Sequence, residues 1–145
     1  GLSLAPIGAY LVIAESFALA PLFFSMAVLC WVSGFDIIYA LQDEEFDKTH
    51  NLRSIPSWLG KQKALRVSSI LHVLSALCIL MPLFFIPMGP FYLLGVLLFI
   101  GLLIYQHRLV SADDLSRVNR AFFTTNGLAS AVFAIFFFLD LYWRG

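Results

Sequence analysis

Charge is what this chain has least of. Only 12% of its 145 residues are Asp, Glu, Lys or Arg, and from Val67 to His107 there is none. Soluble domains carry about a quarter charged residues, so a water-soluble globule is excluded. The uncharged stretch is long enough for two membrane crossings at about 20 residues each. Cysteine is nearly absent too. Cys30 and Cys78 both lie in apolar runs, which excludes a disulfide framework or a cysteine zinc site and makes them packed apolar thiols. The formal net charge is zero, so nothing draws the whole molecule toward nucleic acid, and no nucleic acid partner is expected. The chain also lacks an initial Met or a charged flank, since Gly1 already lies in an apolar run. We therefore expect the beginning of the protein to be missing.

What is present is apolar: 61% of residues are hydrophobic, fifteen are Phe, and the mean hydropathy is +0.89. Apolar runs recur along the whole chain, so it is not a signal peptide before a soluble domain. The expectation is an all-α, multi-pass transmembrane helix bundle in the lipid bilayer, with about five helices. The first covers about Leu2 to Phe17 and is cut at its start. The second runs from Pro21, which suits a first helical turn, to about Asp43. A polar loop, Glu44 to Gln62, precedes a third helix from Lys63 to Phe85. Pro87-Met88-Gly89-Pro90 makes a turn, and a fourth helix spans Phe91 to His107. A second polar loop, Arg108 to Ser116, precedes a fifth helix from Arg117 to Leu141. No repeat, low-complexity tract or domain boundary is visible.

Two crossings separate the loops after the second and fourth helices, which places both loops on one side. That side, the loops with the helix ends beside them, holds eight of the nine basic residues, with Arg144 alone opposite. The positive-inside rule puts these loops in the cytoplasm, in a cell inner (cytoplasmic) membrane.

Within such helices polar residues carry the information, because each is unfavourable unless it faces an interior or a wet cavity. On a helix, Asp36, Tyr39, Asp43 and Asp47 fall within roughly 80° of one another. Three acids on one face repel each other, and near a helix C-terminus they oppose the macrodipole. A hard divalent cation relieves both penalties. Mg2+ prefers carboxylates together with phosphate oxygens, and Lys48, Arg53 and Lys61 nearby suit an anionic phosphate. The combination points to a phosphorylated lipid at a membrane surface. Asp36, about two turns inside the interface, is expected to be buried or in a cavity. Glu44 and Glu45 point elsewhere and mark the water interface. His72 reads as a hydrogen-bonded packing histidine. Asn119 and Asn126, seven apart, are expected to share a face, where they either bond between helices or line a cavity. Glu15 reads as a residue of the opposite interface.

The run Asp36-x-x-Tyr39-Ala40-x-Gln42-Asp43-x-x-x-Asp47, followed by Leu52-x-Ser54-Ile55-Pro56, resembles the second aspartate-rich motif of the intramembrane aromatic prenyltransferases, the 4-hydroxybenzoate polyprenyltransferase (UbiA) superfamily. Tyr105-Gln106-His107-Arg108-Leu109-Val110 and Asn119-x-x-Phe122-Phe123-x-x-Asn126-Gly127 look like the last two helices of its bacterial branch. The resemblance implies a nine-helix bundle of which residues 1–145 are the C-terminal portion. The missing N-terminal half would carry the other aspartate-rich motif, so this chain alone is incomplete as a catalyst. It implies that Asp43 and Asp47 are catalytic residues that ligate Mg2+ on an isoprenyl diphosphate. Asp36, Tyr39, Lys48, Arg53, Ser54 and Asn126 would bind substrate. Family members often read Ser-Thr-Ala where this chain has Ser54-Ile55-Pro56.

The implied reaction transfers a polyprenyl group to an aromatic acid acceptor, 4-hydroxybenzoate or a naphthoate, in ubiquinone or menaquinone biosynthesis. Rivals remain. A phospholipid-forming enzyme using cytidine-diphosphate-alcohols needs an Asp-Gly pair and a following Ala-Arg, which are absent. A transporter predicts polar groups spread through the membrane depth, whereas the ionisable groups here crowd one side. A non-catalytic subunit would require the chain to be complete.

Overall fold

A backbone in hydrocarbon must satisfy its own hydrogen bonds, and long uncharged runs do so as helices. The computed structural model of the chain describes residues 19–43, 49–84 and 87–144. Helix α1, Leu19–Ala40, tightens into a 3-10 turn over Leu41–Asp43. A short helix α2, Ile55–Leu59, leads into α3, Lys61–Leu80, which ends in a second 3-10 turn, Met81–Phe84. Helix α4 spans Pro90–Leu109. A π-helical turn, Arg120–Thr125, runs directly into α5, Asn126–Arg144. Four helical stretches, Leu19–Asp43, Lys61–Phe84, Pro90–Leu109 and Arg120–Trp143, are long and apolar enough to cross a membrane. They correspond to the second through fifth helices expected from the sequence. The first expected helix, with Glu15, lies outside the described residues. The described residues form no strand, only one isolated bridge between Ser111 and Asp114.

Two local features depart from expectation. The first is α2, inside what reads as a loop. Ser54 caps it: the Ser54 hydroxyl accepts the Ser57 backbone N–H at 3.1 Å, and the Ser57 hydroxyl accepts that of Ser54 at 2.8 Å. This reciprocal capping box satisfies two donors at a helix start. Pro56 sits in the first turn, where its missing N–H has no cost. One residue, Gly60, separates α2 from α3 at φ +86, a left-handed conformation that favours glycine. The second departure is the π turn. It holds one more residue per turn than an α-helix, which shifts the helix face by about 100°.

Side-chain bonds fix the topology. Along α3, Ser68, His72 and Ser75 recur at spacings of four and three, which places them on one face. They donate in turn to backbone carbonyls of α1. The Ser68 hydroxyl donates to Gly34 at 2.7 Å, His72 Nε2 to Trp31 at 3.2 Å and the Ser75 hydroxyl to Ala27 at 2.8 Å. The carbonyl numbers fall as the donor numbers rise, so α1 and α3 are antiparallel. Small residues let the backbones approach closely enough for these bonds. A Cβ on Gly34 would collide with the His72 ring. Helices α4 and α5 form a second antiparallel pair, tied by Gly89 to Asp140 at one end and Gln106 to Asn126 at the other.

The pairs meet at a seam of edge-on aromatics, Trp31–Phe99 at 5.3 Å and Phe24–Tyr92 at 6.4 Å, and a bond between His72 and His107. The core has two zones. Ile37, Ile38, Leu41, Ala64, Val118 and Ala121 pack at the basic end of the bundle. Tyr92, Val96, Phe99 and Leu103 pack further along, with Ala27, Ile79 and Ala129. Two antiparallel pairs return the chain twice to the same end. Arg53, Lys61, Lys63, Arg66, Arg108, Arg117 and Arg120 therefore cluster there, and Arg144 lies at the other, as the charge pattern implies.

Candidate functional site at the acidic end of α1

The last turns of α1 carry the acids. At this level the helix buries Gly34, Ile37, Ile38 and Leu41. Asp36 is on another side and is exposed, as is Asp43 in the closing 3-10 turn. Of the expectation that Asp36 is buried or in a cavity, burial is corrected among the described residues: the packed face of α1 turns it outward. Tyr39 is half-buried. Its ring lies 4.4 Å from Phe122 and 6.0 Å from Phe123, both in the π turn, and Phe122 meets Phe35 at 5.3 Å. The site beside the acids therefore has an aromatic wall made by α1 and the π turn together. Asp47 and Lys48 lie outside the described residues.

Arg53 is exposed in the loop before α2, on the rim of an open hollow of about 940 Å³ bordered by Asn51, Ser54 and Trp58. Asn51 helps shape this loop with φ +55, a left-handed conformation in which asparagine is enriched. Ser54, expected to bind substrate, is the cap of α2, and its oxygen is engaged by the Ser57 N–H. Asn126 is 9% exposed and accepts from Gln106 Nε2 at 2.9 Å. It joins α4 to α5. Asn119 is exposed. The π turn between the two asparagines removes the shared face expected of a seven-residue spacing.

Exposed carboxylate oxygen is a hard donor and suits Mg2+ in kind. In number it falls short: among the described residues, no group of three or more His, Cys, Asp or Glu is placed to hold a metal. Asp43 would be one ligand toward such a site, and the rest would come from outside these residues.

Three buried features escaped the sequence reading or went beyond it. Nε2 of His72 faces a carbonyl, so it carries the hydrogen. In the neutral pair, Nδ1 of His72 then accepts from Nε2 of His107 at 2.7 Å, and Nδ1 of His107 faces the Ser69 hydroxyl at 3.3 Å. The packing role expected of His72 is what the structure shows; the partnership with His107 was not foreseen. Asp140, 1% exposed at the end opposite the basic loops, accepts the Gly89 N–H at 3.1 Å. An acid at a helix N-terminus is favourable, and this one departs from the expectation that ionisable groups crowd one side. Finally, an apolar cavity of about 350 Å³ lies in the seam, lined by Phe24, Trp31, Phe99, Phe133 and Phe137 with Ser75 and Ser130. In the loop before the π turn, Asp114 accepts from the hydroxyl and backbone N–H of Ser116, which hold its carboxyl below the usual aspartate range.

Apolar helices in antiparallel pairs, with acids, tyrosine and basic loops gathered at one end, define a multi-pass membrane bundle with a polar site at its surface. The family follows from comparison with known proteins. A model of the UbiA prenyltransferase family matches residues 1–139, and the chain belongs to that family. It is similar to the 4-hydroxybenzoate octaprenyltransferase of Shewanella frigidimarina (strain NCIMB 400), 26% identical over 74% of this chain and 37% of that protein. The enzyme of the same description from Shewanella woodyi (strain ATCC 51908 / MS32) is 24% identical over 72% of this chain and 36% of that protein. The chain thus spans little more than a third of the length of these curated relatives. No solved structure matches it.

Proposed function

We propose that this chain is part of a membrane-embedded aromatic prenyltransferase. It transfers a polyprenyl group from an isoprenyl diphosphate to an aromatic acid of the 4-hydroxybenzoate type, in quinone biosynthesis. The observation that carries this is the acid-bearing end of α1, in a chain of this family, set beside Tyr39 and on the same end as the basic loops. The names of the relatives favour 4-hydroxybenzoate over a naphthoate acceptor.

In this reading Asp43 and Asp47 would hold Mg2+, with further ligands from the rest of the protein. Lys48 and Arg53 would contact phosphate oxygens. Bound Mg2+ would supply Lewis-acid neutralisation of the departing diphosphate. The carbon–oxygen bond to the diphosphate breaks, the acceptor ring forms the new carbon–carbon bond, and the displaced ring proton leaves to a base. Tyr39 and Phe122 border the reacting end with aromatic faces, which attract positive charge. The basic loops face the cytoplasm of the inner membrane, and the isoprenyl tail stays in hydrocarbon.

The test is a membrane assay of the full-length protein with labelled isoprenyl diphosphate, 4-hydroxybenzoate or a naphthoate acid, with and without Mg2+. Asp43→Asn and Asp47→Asn should each abolish Mg2+-dependent transfer. Wild-type turnover in either variant removes the site from contention.

A further inference from the structure

We infer that Gln106 is a positioning residue of this site: it fixes the π turn so that Phe122 stands against Tyr39. The inference deepens the prenyltransferase reading and rests on it. Gln106 is fully buried, at 0% exposure, in a membrane-spanning helix. An amide there is unfavourable unless bonded, and its Nε2 makes two bonds, to the Ala121 carbonyl at 2.7 Å and to Asn126 Oδ1 at 2.9 Å. Ala121 lies inside the π turn and Asn126 directly follows it. One side chain of α4 therefore grips both ends of the irregular turn. Phe122, the next residue after the gripped carbonyl, is the ring 4.4 Å from Tyr39. Tyr39 in turn lies between Asp36 and Asp43 on α1.

Stability alone does not account for the arrangement. Gln106 Oε1 and Asn126 Nδ2 are buried without a hydrogen-bond partner. An unbonded buried polar atom is destabilising, so an apolar pair of the same shape would hold the helices together about as well. What the amides contribute and an apolar pair would not is a fixed register for the π turn. Such turns are rare in helices and occur often at functional sites. A straight α-helix here would move Phe122 by about 100° around its axis, away from Tyr39. Gln106 acts on the site through Phe122.

The test uses the full-length protein. Gln106→Met keeps the bulk and removes the bonds; Phe122→Leu removes the ring. Each should lower kcat on the order of tenfold to a hundredfold, with little change in KM for the isoprenyl diphosphate, and the double variant should be no worse than the poorer single one. Phe122→Tyr should retain turnover. Multiplicative losses in the double variant, or an active Phe122→Leu, would overturn the inference. An activity-free arm replaces Cys30 and Cys78 by Ala and joins Tyr39→Cys to Phe122→Cys with a short thiol-bridging reagent. Adding Gln106→Met should cut the bridged yield several-fold, and an unchanged yield sinks the inference. If Gln106→Met does not accumulate, Asn126→Leu takes its place in both arms. Asp43→Asn serves as control: full turnover there defeats the enzyme reading, while the bridging arm still decides the role of Gln106.

Discussion

At the scale of single residues, polar atoms in an apolar chain are the ones that place it. Of Ser68, His72 and Ser75 the sequence reading singled out only His72, although four-and-three spacing in an uncharged run marks one helix face. Their acceptors were not legible, because a backbone carbonyl leaves no trace in a sequence. Asp140 was overlooked for a similar reason. Near a polar chain end it resembles an interface marker, and its partner Gly89 is far away along the chain. The ladder predicts a graded response. Ser68→Ala or Ser75→Ala should each lower stability by about 0.6 kcal/mol, the average for hydrogen bonds between membrane helices. Gly34→Val should cost more, about 1–3 kcal/mol, because its side chain displaces the His72 ring. Thermal unfolding in detergent reads both, and equal losses would contradict the ladder. Asp114 gives a pH prediction. Its hydrogen bonds to Ser116 lower its folded value, so they stabilise the turn above the ordinary aspartate value of 3.8. That contribution fades as pH falls through the lower folded value. Exchange protection of the Ser116 amide should drop over that acidic range, and Asp114→Asn should flatten the profile.

At the scale of elements, the long helices were legible and the short or irregular ones were not. Hydropathy over about 20 residues marks a spanning helix strongly, and the ends fell within a few residues of expectation. Helix α2 has five residues, too few for any periodic signal, and its one clue was a Ser-x-x-Ser pair whose second member replaces the usual Glu or Gln. The π turn had no clue at all. Its extra residue depends on Gln106 of α4, a contact across the fold. It misled the reading of Asn119 and Asn126 because seven residues make two turns only when every turn is α-helical. The cap on α2 can be tested directly. Ser54→Ala should weaken that helix by about 1 kcal/mol, seen as faster amide exchange over residues 55–59 with the spanning helices unaffected. Slow exchange retained there would mean that packing against α1 and α3, rather than the cap, holds α2 in place.

At the scale of the whole molecule, the two helix pairs are unequal partners in stability. Within each pair the contact is extensive, and α1 and α3 add three side-chain-to-backbone bonds. Between pairs there are edge-on aromatic contacts, the His72–His107 bond, one contact of Ser69 with His107, one bond from the Tyr92 hydroxyl to the Ile79 carbonyl, and the 350 Å³ cavity. A void forfeits the contacts that its lining would otherwise make. The bundle should therefore open first along this seam. Cys78 is half-buried beside the core zone at the seam and reports on it as a thiol. His107→Leu leaves Nδ1 of His72 without its partner, a loss of about 1 kcal/mol, which corresponds to about fivefold faster maleimide labelling of Cys78 in detergent. Ser68→Ala, a loss of similar size within a pair, should leave Cys78 labelling unchanged. Ala134→Leu acts in the opposite direction. Ala134 lines the cavity from α5, and its enlarged side chain would fill space that now weakens the join, so labelling should slow. Opposite signs at the seam, with no effect from within a pair, would identify the seam as the weakest boundary; equal acceleration by all three variants would mean that the four helices open as one unit.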